Sequence, residues 1–326
     1  MADQSPRTDS WDESRIPDQS GKTVLVTGAN SGLGLRTASV LAGKGAHVLL
    51  ACRSPERGQS ALDAVTRQAT GSKPRLVQLD LGDLATVRQS ATEIREITGD
   101  RLDVLVNNAG IMALPKGSTE DGFELQFGTN HLGHAALTWL LMPALRGSAT
   151  GARVVSVSSI AATQAKIDLD DPNYERRTYN PWGAYGQSKL ANQVFALELH
   201  RRLQAAGEPV SSVAAHPGLT ATGLAGSMAG SYRNPLVSGV LRAGSWFSDA
   251  VLAQSVNRGA LPQLHAATAP EVESGQYFGP DGFRQLRGAP TAVKPLRPAR
   301  DTELGDRFWA LTARLTGVTP DPDGRS

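Results

Sequence analysis

The chain has 326 residues, 40% of them apolar, 5% aromatic and 20% charged, with 33 basic side chains, 31 acidic ones and a single cysteine. A net charge of +2 is too even for a nucleic-acid binder, and Cys52 alone excludes an intrachain disulfide framework or a multi-cysteine metal centre. At this length one large domain buries enough apolar surface to fold without a covalent or metal staple.

Residues 1–20 are polar, lack the apolar centre of a secretory signal, and read as a flexible lead-in. No apolar run reaches the length of a membrane span. The expectation is a cytoplasmic protein with no integral membrane segment and no nucleic-acid partner. Lys22 to Thr27, centred on Val24, Leu25 and Val26, predicts a buried strand. A glycine-rich turn, Gly28 to Gly34, leads into a helix from about Leu33 to Lys44, ended by Gly45. Ala46 to Ala51 predicts the next strand, so the first unit is strand–helix–strand with its glycines at the crossover.

The alternation continues. A helix is predicted from Pro55 to about Ala69 and a strand over Arg75 to Gln78. Asp83 reads as the cap of a helix with Val87, Ile94 and Ile97 on its apolar face. Leu102 to Val106 predicts a strand ending in Asn107-Asn108-Ala109-Gly110, and Glu120 to Leu145 a long helix broken or tightened near Gly133. Arg153 to Val157 is a strand running into Ser158-Ser159. A helix begins after Gly183 and runs to about Ala205, followed by a strand, Pro209 to Ala214, before His216-Pro217-Gly218.

Residues 219–250 read as a lid, with helical segments over Trp246 to Val251 and Ser255 to Ala267 and a closing strand at Tyr277-Phe278. Arg284 to Arg300 reads as a surface excursion. Asp301 is a candidate cap for a last helix with Leu304, Phe308, Leu311 and Leu315 on one face, docked on the body. Strands separated by helices of ten residues or more imply an α/β fold: a Rossmann-type doubly wound parallel sheet, helices on both faces, in a single domain. That domain is expected over residues 21–283, with 284–326 a C-terminal extension. Ligands bind such sheets at the carboxyl ends of the strands.

Thr27-Gly28-Ala29-Asn30-Ser31-Gly32-Leu33-Gly34 joins the first strand to the first helix. Gly28 permits the tight turn, Gly32 a close approach to a pyrophosphate, and Gly34 close helix–sheet packing, while the helix N-terminus offers N–H groups to phosphates. Arg53 follows the second strand, where an adenosine ribose sits and where NAD sites place a carboxylate. A guanidinium suits a 2′-phosphate, which predicts NADP(H); the plain alternative is a solvent-facing arginine. Asp80, followed by Leu81, has two readings: a partner for the adenine amine, or the cap of a local turn. Asn108, Ala109 and Gly110 are small enough for backbone approach to a ribose.

Tyr185 and Lys189 are four apart on a predicted helix, so their side chains share a face. A phenol is a poor acid–base group at neutral pH, and a neighbouring ammonium favours its ionised form. Ser159 is placed either to bond the same substrate oxygen or to cap a turn. Asn130 lies inside a helix, where asparagine is disfavoured unless something uses it. His131, His134 and His216 lack a third metal-ligating partner and read as packing, capping or surface histidines.

In order and placement these residues resemble the short-chain dehydrogenase/reductase superfamily, most of all its retinol-dehydrogenase-like and protochlorophyllide-reductase-like branch. The matching residues are Thr27 to Gly34, Asn107 to Gly110, Asn130, Ser159, Tyr185, Lys189 and Pro217-Gly218, over almost all of Lys22 to Pro280. The resemblance implies that Tyr185 is the general acid or base, that Lys189 binds the nicotinamide ribose and lowers the Tyr185 pKa, and that Ser159 orients the substrate oxygen. It implies that Asn130 holds a relay water and Asn108 helps place the cofactor. Pro217, Gly218, Leu219 and Thr222 would border the nicotinamide. A metal-free hydride transfer and a homo-oligomer are further family expectations.

Ser159 and Tyr185 stand 26 positions apart, wider than in the simplest members but comparable to the retinol-dehydrogenase-like branch. The acidic residues between them, Asp168, Asp170 and Asp171, read as a solvated turn. Trp182 is placed to line the substrate entrance or to pack on the Tyr185 helix. With Leu224, Met228 and Tyr232 on the lid, an apolar carbonyl or alcohol substrate is expected. Two other readings stand beside an NADP(H)-dependent carbonyl reductase or alcohol dehydrogenase. One is a non-catalytic NADP(H)-sensing protein, the other an enzyme of double-bond reduction or epimerisation on the same fold.

Overall fold

The computed structural model describes residues 10–220 and 254–322. Among them, β1 (Thr23–Thr27), β2 (His47–Cys52), β3 (Arg75–Gln78), β4 (Val104–Asn107), β5 (Ala152–Val157), β6 (Val210–Ala215), β7 (Tyr277–Pro280) and β8 (Pro290–Val293) form one sheet. Its order is β3-β2-β1-β4-β5-β6-β7-β8, parallel throughout except between β7 and β8. Pairing Leu25 with Leu49 and Leu105, and Leu105 with Val154, makes one apolar row; Val26 with Leu50 and Val106, and Val106 with Val155, makes the next. Because side chains alternate along a strand, the rows face opposite ways and each needs its own cover.

Helices α3 (Leu84–Thr98), α5 (Gly133–Arg146) and α6 (Pro181–Ala205) cover the Leu25 row, through Val87, Ile94, Leu137, Leu141 and Phe195. Helices α1 (Gly32–Gly43), α2 (Pro55–Thr66) and α8 (Leu261–Thr268) cover the Val26 row, through Leu41, Val65 and Leu264. The sheet is thus doubly wound, as expected, with its order reversing about β1 and β4. That reversal opens a crevice at the carboxyl ends of these strands.

Several boundaries differ from the sequence reading. The long helix begins later, as α4 (Leu125–Phe127), where the buried Glu124 carboxylate accepts the Gln126 and Phe127 amides at 3.0 and 2.6 Å. Gly128–Leu132 then forms a π-helical turn, closed by Gly133 N–H to Gly128 O, before α5 continues. The helix is widened here, not tightened. α6 starts three residues early, at Pro181, because Asn180 caps it by accepting the Trp182 and Gly183 amides. The helix expected over Ser255 to Ala267 is split into α7 (Val256–Gly259) and α8, since Pro262 has no N–H to carry the first ladder through.

Both ends are more integral than expected. Within the predicted lead-in, Ile16 is buried in the core, Trp11 meets His265 edge-on at 4.9 Å, and Glu13 pairs with Arg36 at 2.5 Å. Residues 10–20 therefore pack on the body. The predicted surface excursion contains β8, which pairs with β7, so no packing boundary exists at residue 284. Asp301 does cap the last helix, α9 (Thr302–Thr316), whose Phe308, Trp309 and Leu311 are buried and whose Trp309 stacks on Phe195 of α6 at 5.5 Å.

Candidate active site

The turn after β1 is fixed by its partner turn after β4. Gly28 adopts φ +66°, and a Cβ there would lie 2.9 Å from Ala109 Cα. A Cβ on Gly34 would lie 2.4 Å from Gly28 O and 2.5 Å from Asn108 Nδ2, so only glycine lets α1 start this close to the sheet. Thr27 Oγ1 accepts the Asn108 and Ala109 amides at 2.9 and 3.0 Å, and Asn108 Nδ2 donates to Thr27 O at 2.8 Å. The Ser31 hydroxyl makes no capping bond, so α1 opens with its N–H groups uncapped, as an anion site requires. Asn30 and Leu33 lie half-buried on the same turn. These features fit a dinucleotide pyrophosphate.

β5 and α6 carry the candidate catalytic side chains. Tyr185 and Lys189 are one helical turn apart, 6% and 4% exposed. Ser158 Oγ donates to Lys189 O at 2.8 Å, fastening α6 to the end of β5. Burial pushes the Tyr185 hydroxyl above its ordinary value, and a hydrogen bond with Ser159 opposes that rise. Of its two predicted roles Ser159 fills the turn cap, its Oγ accepting the Ala161 amide at 3.2 Å. Burial pushes the Lys189 ammonium down to about 8. Its Nζ donates to Val157 O at 3.1 Å and lies 3.1 Å from where a Gly110 Cβ would be, so a side chain at Gly110 would crowd it.

Asn130 sits within the π-helical turn. Its Oδ1 accepts the Ile111 amide at 2.8 Å, and its Nδ2 donates to Ile111 O and Ser188 Oγ, both at 2.9 Å. The side-chain amide thereby clamps the loop after β4 to α6.

Around this centre the predicted residues divide. Arg53 is exposed directly after β2, free to meet a ligand. The Asp80 carboxylate accepts the Gly82 amide at 2.9 Å, the local-cap reading, and the Leu81 side chain is buried in the core against α5. Gly218 has φ +66°, Leu219 N–H bonds Leu286 O at 2.8 Å, and Pro217 O accepts from Thr220 and Gln254. His216 supports this loop, donating to Gln285 Oε1 and accepting the Gly218 amide. Thr222, Leu224, Met228, Tyr232 and the segment Trp246 to Val251 lie outside the described residues. Trp182 is 51% exposed, its ring 6.3 Å from that of Tyr185.

The insertion before α6 is not a solvated turn. Asp171 is buried and accepts the amides of Glu175, Arg176 and Arg177, while the Arg177 guanidinium lies 3.6 Å over the Tyr174 ring. Tyr179, from the same insertion, donates to Leu114 O, joining the insertion to the loop after β4.

Sequence reasoning missed two residues that tie the site together, Gln263 and Thr138, and read a third, His134, as a packing, capping or surface histidine. Gln263 of α8 donates to Thr37 and Asn108; Thr138 receives Asn107 Nδ2 at 2.9 Å; and His134 contacts both Thr27 and Asn130. The one available signal was the i, i+4 spacing of Asn130, His134 and Thr138 along a helix otherwise apolar on that side.

A family model described as short chain dehydrogenase matches residues 22–232. Retinol dehydrogenase 13 of Homo sapiens is 42% identical over 300 residues, covering 91% of this chain and 85% of that protein. Polyprenol dehydrogenase of Mus musculus is 41% identical over 313 residues, covering 95% and 88%. A crystal structure of an uncharacterized protein from Mycobacterium Paratuberculosis matches with a TM-score of 0.75 at 38% identity, covering 95% of this chain and 98% of that one.

Proposed function

The chain belongs to the short chain dehydrogenase family of oxidoreductases, and we propose that it uses NADP(H) to interconvert an apolar carbonyl compound and its alcohol. The observation that carries this reading is the Tyr185 hydroxyl, buried, bonded to Ser159 and set one helical turn from the Lys189 ammonium.

Gly28, Gly32 and Gly34 with the N-terminus of α1 would hold the pyrophosphate, and Lys189 beside Gly110 a ribose. A bound nicotinamide dinucleotide supplies or accepts the hydride. Tyr185 handles the proton at the substrate oxygen. Burial keeps its hydroxyl protonated at neutral pH, the form that donates as carbonyl oxygen gains charge. Ser159 donates to the same oxygen, and a charged Lys189 favours the phenolate needed in the reverse direction. Arg53 supports the choice of NADP(H), since no carboxylate follows β2 to meet a bare ribose hydroxyl. An apolar substrate is supported by relatives named for retinol and polyprenol, and by the exposed Trp182 ring near Tyr185.

The test is cofactor absorbance with apolar aldehydes, ketones and their alcohols, with product identification. Tyr185→Phe is expected to retain cofactor affinity and to lose turnover by about 10²- to 10⁴-fold. Full turnover in that variant would remove Tyr185 from the chemistry, and a product reduced at a carbon–carbon double bond would move the reaction class.

A further inference from the structure

His134, on the first turn of α5, is 2% exposed and touches neither of the surfaces that a substrate or cofactor would meet first. Its two ring nitrogens have different partners. Nδ1 lies 2.9 Å from the main-chain oxygen of Asn130, and a carbonyl only accepts, so Nδ1 carries the proton. Nε2 is then an acceptor, 2.9 Å from Thr27 Oγ1. The competing acceptor for that hydroxyl, Val106 O, is farther away at 3.3 Å. With its proton given to His134, Thr27 Oγ1 accepts the amides of Asn108 and Ala109. Burial holds the imidazole down to about 4, so it is neutral and keeps one fixed tautomer at neutral pH.

A second set of bonds fixes the ring's own turn. Thr138 Oγ1 donates to His134 O at 2.8 Å and accepts from Asn107 Nδ2. One bonded path therefore runs from the glycine turn through the imidazole to the π-helical turn. At its far end Asn130 clamps Ile111, next to the Gly110 backbone against which Lys189 Nζ lies.

We propose that His134 is a positioning residue: acting through Thr27 and Asn130, it couples the phosphate-binding turn to the seat of Lys189. The proposal rests on the dinucleotide reading above. It states that cofactor affinity depends on a side chain that does not contact the cofactor, and that this dependence passes through a hydroxyl–imidazole bond.

A double-mutant cycle tests it, with NADPH dissociation constants measured by fluorescence or calorimetry. His134→Leu is expected to weaken NADPH binding by about tenfold, the scale of losing a buried hydrogen-bond partner. In a Thr27→Val background the same change is expected to cost less than about twofold, because the bond is already gone. His134→Gln, whose amide oxygen can reach Thr27, should recover most of the affinity; His134→Phe, which removes the acceptor and keeps the ring volume, carries the cycle if the leucine variant does not fold. Nitrogen-15 spectra of the wild-type imidazole should show the proton on Nδ1, with or without cofactor. Equal costs of His134→Leu in both backgrounds, or a proton on Nε2, would overturn the proposal. Wild-type protein that binds no nicotinamide dinucleotide would instead defeat the functional reading, and the nitrogen-15 spectrum would still decide whether the imidazole is bonded as described.

Discussion

Lys189 Nζ donates to the main-chain oxygen of Val157 at 3.1 Å, the same oxygen that receives Asn192 Nδ2 at 3.1 Å. The last carbonyl of β5 thus anchors two side chains of α6, and the ammonium is held at the carboxyl edge of the sheet inside a buried site. Few polar groups offset that burial, which is why the Lys189 pKa falls to about 8.

The depressed pKa makes a signed prediction about stability. Between pH 8 and the ordinary lysine value of 10.5, the unfolded chain holds a proton that the folded chain has released. This group's contribution to stability is therefore greatest above 10.5 and is lost as pH falls through 8. A Lys189→Met variant lacks the titration. Relative to wild type it should be more stable at pH 7 than at pH 10, the two differences separated by up to about 3 kcal/mol. Urea unfolding of both proteins at both pH values measures this. A pH-independent difference would mean that the ammonium is not desolvated in the fold. The same variant should lose cofactor affinity at every pH.

Arg53 is exposed at the end of β2, and the proposed use of NADP(H) sets its guanidinium on a ribose 2′-phosphate. Arg53→Ala is expected to weaken NADPH binding by about 10- to 100-fold, the range for charge-assisted hydrogen bonds to phosphate. NADH binding should change little. Titrating both cofactors against both proteins separates the outcomes. An equal loss for the two would make Arg53 a pyrophosphate ligand or a structural residue, and no loss for either would make it a solvent-facing side chain.

What was legible in the sequence was local or periodic. The turn from Thr27 to Gly34 announced itself because backbone geometry there admits only glycine at Gly28 and Gly34. Tyr185 and Lys189 were legible because a helix puts positions four apart on one face. The π-helical turn at Gly128–Leu132 was not, since no propensity encodes it; it is a tertiary solution that aims Asn130 at Ile111 and Ser188. β8 is four residues long and begins with proline, too short for alternation to show, and is defined by its pairing with β7. Asp171 looked like one of three solvated carboxylates because composition does not reveal that it is buried under the amides of Glu175, Arg176 and Arg177. Its amide partners lie four to six residues downstream in an irregular segment, where no repeating pattern exists to read.

Phe308 makes the C-terminal helix part of the site's scaffold. Its ring is 1% exposed and lies 4.7 Å from that of His131, within the π-helical turn, and 6.4 Å from that of Phe127, immediately before it. His131 is itself buried and neutral, its Nε2 3.1 Å from Thr312 Oγ1 on the next turn of α9. Truncating Phe308 would leave a cavity bounded by α4, α6 and α9, and large-to-small changes at such positions cost about 3–5 kcal/mol. Phe308→Ala should show that loss in denaturant unfolding as a single cooperative transition, because α9 shares its core with α6 and does not unfold as a separate unit. Turnover of the folded fraction should also fall, since the cavity adjoins the turn that orients Asn130. Phe308→Leu, which refills most of the space, should recover both. A stability change below about 1 kcal/mol in the alanine variant would show that the last helix is an appendage of the domain; a large stability loss with unchanged turnover per folded molecule would show that α9 braces the fold without reaching the π-helical turn.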